Sequence, residues 1–458
     1  MVLLPLGCCG SRAVTTSTVA AAHKNTVREN EEFTRNVLAS PVSDSVRAMK
    51  NWAGNVTYST DRVLRPRTVT EAQELITTCD SLRPLGTRHS FSTVADSAGT
   101  LISTEDLDRV VEIGADTVVV EAGIRYGELA AVLNDHGVAL PNFASLPHIS
   151  VGGAIATGTH GSGPRNQSLA GAVSAVELVD ATGTIHRLRR GDAEFDGVVV
   201  SLGALGLVTR VSLDVVTAFD LRQYVFERLP WAAVDSNLDA VLAGGYSVSL
   251  FTTWDEPSVG TVWVKTKDEL GPHSYFGASP ATHARNPVPN AQSENATEQL
   301  GVLGPSYDRL PHFRLAFTPS SGDELQSEYV VPREHGAAAV AALRRLSGAI
   351  APLLYVSEIR SIAADTLWLS PFFEQDSIGF HFTWQPRPAE VLAALPQIES
   401  ALAPFGVRPH WGKLFVGSAE AIDAAYPRLP EFRRLARKLD EGRKFRNAFL
   451  ERYVFAEG

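Results

Sequence analysis

The sequence is poor in cysteine: Cys8, Cys9 and Cys79 are the three in 458 residues. Two of them are adjacent, so neither a disulfide framework nor a C-x-x-C metal site can be built from the set. That usage fits a reducing compartment, and the expected location is the cytoplasm. Long apolar runs are also missing. No stretch reaches the roughly 18 residues that a membrane-spanning helix needs, and the nearest one, Gly336 to Val356, is interrupted by Arg344 and Arg345. Leu3–Cys8 has a faint likeness to a lipoprotein cleavage site, but it lacks a basic region before it and is too short to serve as a signal. Residues 1–48, rich in Ser, Thr, Ala and charge, are therefore expected to form a disordered extension. Basic charge is short as well, and the net charge is −10. The short basic clusters, Arg187 to Arg190 and Arg433 to Lys438, read as solvated surface. That argues against a grip on nucleic acid or anionic lipid. A small neutral molecule is the expected partner, and a monomer the expected state. No repeat of 20–50 residues is present.

What is present is an ordinary globular balance, with 44% hydrophobic and 20% charged residues. The length exceeds one hydrophobic core and predicts two domains. From 49 to 217 short helices alternate with short strands. Thr70–Leu82 and Tyr126–Asp135 have helical spacing, the second stopped by Gly137. Thr117–Ala122, Ala172–Leu178 and Gly206–Val216 read as strands. From 218 to 405 longer β-rich runs appear: Ser247–Thr253, Gly260–Lys267, Arg314–Thr318, Glu328–Val331, Glu358–Ile362 and Ile378–Trp384. Helices are expected at Gly336–Ile350 and Ala389–Leu402. Asp268–Arg309, dense in Gly, Pro, Asn and Ser, reads as a long loop of the kind that carries function. Residues 406–458 are expected to pack back on the first domain. The fold class is α+β, with a large antiparallel sheet flanked by helices in the second domain.

Two glycine-rich clusters could carry chemistry. The first is Pro84-Leu85-Gly86-Thr87-Arg88-His89-Ser90, where glycine lets backbone N–H groups approach a phosphate. The second runs from Ser145 to Gly163 and includes Ser150, Gly153, Ala156, Thr157, Gly158 and His160. It matches neither the dinucleotide fingerprint G-x-G-x-x-G after a strand nor the P-loop, which weakens nicotinamide-dehydrogenase and ATPase readings. In this order the two clusters resemble the FAD-binding domain of the vanillyl-alcohol-oxidase flavoproteins. The resemblance implies that the first loop holds the pyrophosphate, that His89 bonds covalently to the flavin, and that the second loop wraps the ring system. Ser201–Thr209, with Gly206 and Leu207, resembles a third flavin-contacting segment.

In the second half, Glu358 and Arg360 share a strand face, as do His381 and Thr383. Each pair is either a structural polar pair or a set of donors and acceptors for hydroxyls. His410-Trp411-Gly412-Lys413 adds a lysine near a tryptophan. As an ordered set these residues resemble the alditol oxidases. The resemblance implies that Ser145, Glu358, Arg360, Thr383 and Lys413 bind polyol hydroxyls, with His381 and Lys413 beside the reacting alcohol. It implies FAD as cofactor, O2 as co-substrate and hydrogen peroxide as product. A sugar-1,4-lactone (gulono-, galactono- or arabinono-lactone) oxidase or dehydrogenase is the second reading, and a binding protein on a degenerate flavin fold the third.

Overall fold

The computed structural model describes residues 48–271, 273–317 and 324–456. Most of the extension expected over residues 1–48, with Cys8 and Cys9, lies outside them. The first elements show how local chemistry sets boundaries. Helix α1 (Val69–Thr78) starts where the Thr68 side chain accepts from Glu71 N, a normal N-cap. It stops at Thr78 rather than running to Leu82, because Leu82 is already paired with Thr100 in a sheet. That sheet is parallel and has three strands, β1 (Val63–Leu64), β2 (Leu82–Leu85) and β3 (Thr100–Ser103), in the order β1-β3-β2.

A second sheet is antiparallel. It comprises β4 (Val110–Ile113), β5 (Thr117–Glu121), β6 (Val173–Val179), β7 (Ile185–Arg189) and β8 (Leu207–Asp214), ordered β4-β5-β8-β6-β7. Helix α2 (Tyr126–Asp135) has the predicted bounds, and Gly137 turns the chain beyond it at φ +73°. Helix α3 (Val151–Ala156) lies inside the second glycine-rich cluster.

The third sheet is the largest. Its main path joins β9 (Asp220–Pro230), β10 (Ser247–Thr252), β11 (Ser258–Thr266), β12 (Ser279–Pro280), β13 (Leu325–Pro332), β14 (Leu354–Ile362), β15 (Ser377–Trp384) and β16 (Arg408–Pro409). The order is β12-β9-β11-β10-β14-β15-β13-β16, every pair antiparallel. In β15, Ile378, Phe380, Phe382 and Trp384 alternate with Gly379, His381 and Thr383. The period of two puts the apolar set on one face and the polar set on the other. The apolar face packs under helices α4 (Trp231–Ala243), α5 (Gly336–Arg344) and α6 (Pro388–Leu402), whose buried residues join the same core. A Cβ at Gly336 would stand 2.6 Å from Ile378, so helix and sheet touch backbone to side chain there. Tyr329 donates its hydroxyl to Glu399 across the same interface, at 2.7 Å.

Three further readings change. Residues 314–317 form a turn, not a strand. Phe317 N returns to Arg314 O, and the Arg314 guanidinium is drawn to Ala296 O and Glu298. The helix expected over Gly336–Ile350 breaks after Arg344 and resumes at Ser347. The long strand β9 and helix α4 were not anticipated, since Arg222, Glu227 and Arg228 interrupt the apolar alternation of β9.

The chain end ties to the first sheet. The buried Arg83 guanidinium on β2 donates to Gly203 O, Leu202 O, Val94 O and Phe445 O. Leu82 N donates to Lys444 O, and Phe91 N to Gly412 O. Among the described residues no helix is long and apolar enough to cross a membrane.

Candidate active site

The polar face of the large sheet is also buried at its centre, where Glu328, Glu358, Arg360, His381 and Thr383 stand. Register explains which groups meet. Glu358 on β14 lies opposite His381 on β15, and His381 lies opposite Glu328 on β13. One step along, Thr383 pairs with Gln326; on β14, Arg360 pairs with Ser249 of β10. All of these except Ser249 line a cavity of about 520 Å³. Its other wall is made by the two glycine-rich clusters and the 201–209 segment.

Glu328 is the centre of the charge arrangement. Its Oε1 accepts from Arg360 at 2.8 Å and its Oε2 from Lys413 at 2.7 Å. His160 Nε2 stands 3.1 Å from Oε1, within ion-pair range but out of hydrogen-bond alignment. Burial alone would raise the Glu328 pKa; Arg360 and Lys413 outweigh it and hold the carboxyl well below its ordinary value. Glu358 behaves alike: burial opposes ionisation, while Arg360 and His312 enforce it. Arg360 reaches Glu358 at 3.5 Å and Ser145 Oγ at 3.4 Å.

Lys413 also lies 2.6 Å from His381 Nδ1. Burial lowers the Lys413 pKa, an effect that Glu328 partly reverses. Burial, and then the Lys413 charge, push His381 down to about 4, so its ring is neutral near pH 7. Because Lys413 donates to Nδ1, the ring proton sits on Nε2, which donates to Thr383 Oγ1 at 3.1 Å. His410 accepts from Gly412 N through Nδ1 and is held far below its ordinary value by burial.

On the facing wall, the two glycine-rich loops touch. A Cβ on Gly86 would lie 2.6 Å from Ser150 Oγ and 3.6 Å from Gly153 Cα. Ser150 N donates to Thr87 Oγ1. Leu202 N donates to Ala156 O, joining the third segment, and Gly206 takes φ +142° against Val179 O. Arg88 adopts φ +63°, a conformation rare outside glycine. Next to it the His89 ring stacks on Trp52, centroids 5.1 Å apart. Its Nδ1 is buried without a hydrogen-bond partner, as is Ser150 Oγ. Burial, with the charge of His148, pushes His89 down to about 4.

The structure brings Pro84 through Ser90, Ser145, Gly153, Ala156, Thr157, His160, Gly206, Leu207, Glu358, Arg360, His381, Thr383 and Lys413 to one cavity. Ser150 lies just behind the wall, beneath Gly86. Gly158 turns away and packs on Pro371. Sequence reasoning did not single out Glu328, His312 or Lys265. The alternation of Gln326 and Glu328 in β13 was the available signal for Glu328. His160, Glu328 and His410 place ligand atoms within 4.8 Å of one another. Two cations already share the Glu328 carboxylate, so a metal ion there would meet repulsion from Arg360 and Lys413.

Residues 60–189 match the family model described as FAD binding domain, and residues 321–453 the one described as D-arabinono-1,4-lactone oxidase. The chain is 47% identical over 408 residues to an alditol oxidase of Streptomyces sp. (strain IKD472 / FERM P-14339), covering 88% of this chain and 98% of that protein. It is 26% identical over 430 residues to an L-gulono-1,4-lactone dehydrogenase of Mycobacterium tuberculosis, covering 88% and 98%. The solved cholesterol oxidase from B. sterolicum shares the fold, with a TM-score of 0.69 at 15% identity, over 91% of this chain and 100% of that one.

Buried neutral imidazoles make stability depend on pH. His312 and His381 fall to about 4 from an ordinary 6.5, and His410 falls well below it. Between those values the unfolded chain binds more protons than the folded one, so stability drops as pH falls. Glu328 and Glu358, held below their ordinary 4.5, extend the loss at lower pH. The melting temperature should therefore fall steadily from pH 6.5 to 4; a flat profile in a melting series would contradict the buried neutral rings.

Proposed function

The chain belongs to the vanillyl-alcohol-oxidase family of FAD-binding flavoproteins, in its alditol oxidase branch, and from that premise we propose that it oxidises the terminal alcohol of a sugar alcohol such as xylitol or sorbitol. The observation that carries this reading is the buried polar sheet face opposite the glycine-rich loops. It presents Glu358, Arg360, Thr383 and, from the facing wall, Ser145. A polyol is neutral, and each of its hydroxyls both donates and accepts. A mixed set of carboxylate, guanidinium and hydroxyl groups answers that chemistry.

The residues present fit FAD. His89 Nδ1 is a buried polar atom on the cavity wall without a partner, and glycine at 86 lets the first loop pack directly on Ser150 and Gly153 of the second, so that both backbones line the cavity. We assign His89 Nδ1 as the atom bonded to the flavin, with Pro84–Ser90, Gly153–Thr157 and Gly206–Leu207 around it. Bound FAD would supply the hydride-accepting chemistry and, with O2 as oxidant, the route to hydrogen peroxide.

Lys413 is the base in this reading. Its amine form has two N–H bonds, and Glu328 Oε2 and His381 Nδ1 are placed to accept them. The lone pair is then free for the hydroxyl proton of the substrate. The ammonium so formed is held by Glu328. Since the amine fraction grows with pH, kcat should rise with pH through the lowered Lys413 pKa. A buried free Cys79 suits the cytoplasm, and we retain a monomer as the working state.

A peroxide-coupled screen of the purified yellow protein tests the function. Xylitol and sorbitol should be turned over and gulono- or galactono-1,4-lactone should not; turnover of lactone alone would favour the lactone oxidase reading, to which the 321–453 match also points. The tether has its own test. In H89A, acid precipitation should leave FAD in the supernatant and turnover should slow, whereas a pellet that stays yellow would place the linkage elsewhere.

A further inference from the structure

Behind Glu358 lie two buried groups, His312 and Lys265, that take no part in the proton chemistry. The His312 ring is held edge-on by Phe251 and Trp263, with centroids at 5.4 and 5.5 Å. Its backbone N–H donates to Ser145 O at 3.1 Å. Its Nε2 lies 3.0 Å from Glu358 Oε1 and its Nδ1 3.1 Å from Lys265 Nζ. One residue thus spans both walls of the cavity, by its backbone to Ser145 and by its ring to Glu358.

Lys265, on β11, is fully buried. Three acceptors surround its Nζ: Leu310 O, Pro311 O and His312 Nδ1. An ammonium has three N–H bonds and satisfies all of them. Donation into Nδ1 puts the ring proton on Nε2, and that N–H donates to the Glu358 carboxylate. A neutral amine has two N–H bonds for three acceptors. Its lone pair would draw the ring proton to Nδ1, and Nε2 would then turn a lone pair toward the Glu358 oxygen.

We propose that His312 is the positioning residue for Glu358, and that Lys265 sets which ring nitrogen carries the proton, so that the pair fixes the carboxylate in its polyol-binding orientation. The inference rests on the polyol reading above. The charged groups facing the pair are Glu358 and Arg360, both from β14. Burial pushes Lys265 down to about 7; Glu358 opposes this and Arg360 adds to it. Below that pH the ammonium keeps Glu358 oriented, and above it the orientation is lost.

The test is steady-state kinetics with xylitol on both sides of pH 7. In the wild type, KM should rise as pH passes upward through about 7, while kcat follows Lys413. H312L should raise KM about tenfold to a hundredfold, the worth of one hydrogen bond to a charged group, with a much smaller change in kcat. H312Q, whose amide N–H can still reach Glu358, should recover most of that loss. K265M should abolish the pH dependence of KM and keep that of kcat. Flavin content and a melting curve establish that each variant is folded; if H312L is not, H312Q and K265M decide. A wild-type KM in H312L, or an intact KM limb in K265M, overturns the inference. If the wild type turns over xylitol and the variants match it, this inference alone falls. If the wild type turns over no polyol, the proposed function falls and takes this inference with it.

Discussion

A carboxylate with almost no exposed surface must be compensated, and the site is organised around how Glu328 meets that requirement. Arg360 and Lys413 donate to its two oxygens, and its own backbone carbonyl accepts from His410 N at 2.9 Å. Removing charges from water is costly, so the geometry that recovers the cost has to be close and fixed. That constraint makes a rigid framework of donors before any substrate arrives, which is the condition for electrostatic preorganisation. Arg360 is then shared with Glu358 and Ser145, and Lys413 with His381. Glu358, Ser145 and His381 are thus tied, through Arg360 and Lys413, to one buried anion.

The backbone places the partners of that anion. Antiparallel register sets Glu358, His381 and Glu328 side by side on three strands. Lys413 arrives separately, on the segment after β16. Phe91 N donates to Gly412 O at 2.7 Å, and Ser92 Oγ to Trp411 O at 2.8 Å. The loop that carries His89 is therefore bonded to the loop that carries Lys413. His89 and Lys413 are thus linked through one short stretch of hydrogen-bonded backbone.

Much of this was legible in the sequence, because it is written in local pattern. Glycine density marked both loops, period two put Glu358 with Arg360 and His381 with Thr383, and the resemblance supplied Ser145, His89 and Lys413. The groups that escaped notice depend on distant pairings. Glu328 looks like one polar residue in an ordinary strand until register sets it opposite His381. His312 and Lys265, on a loop and a strand well apart in sequence, meet where the Asp268–Arg309 region returns along β9, the strand beside β11. The turn at 314–317 escaped for the same reason: Arg314 is claimed by Ala296 and Glu298, which local periodicity does not see.

The central claim is that the Glu328 charge holds the reacting groups in place, and E328Q tests it most directly. The anaerobic rate of flavin bleaching by xylitol should fall by about a hundredfold or more in E328Q, since one oxygen acceptor and the compensating charge for Lys413 and Arg360 are lost together. Flavin content should be unchanged, because Gln keeps the shape of Glu beside His160 of the second loop and His89 sits on the other loop. Bleaching at the wild-type rate by a fully flavinylated E328Q protein would contradict the account.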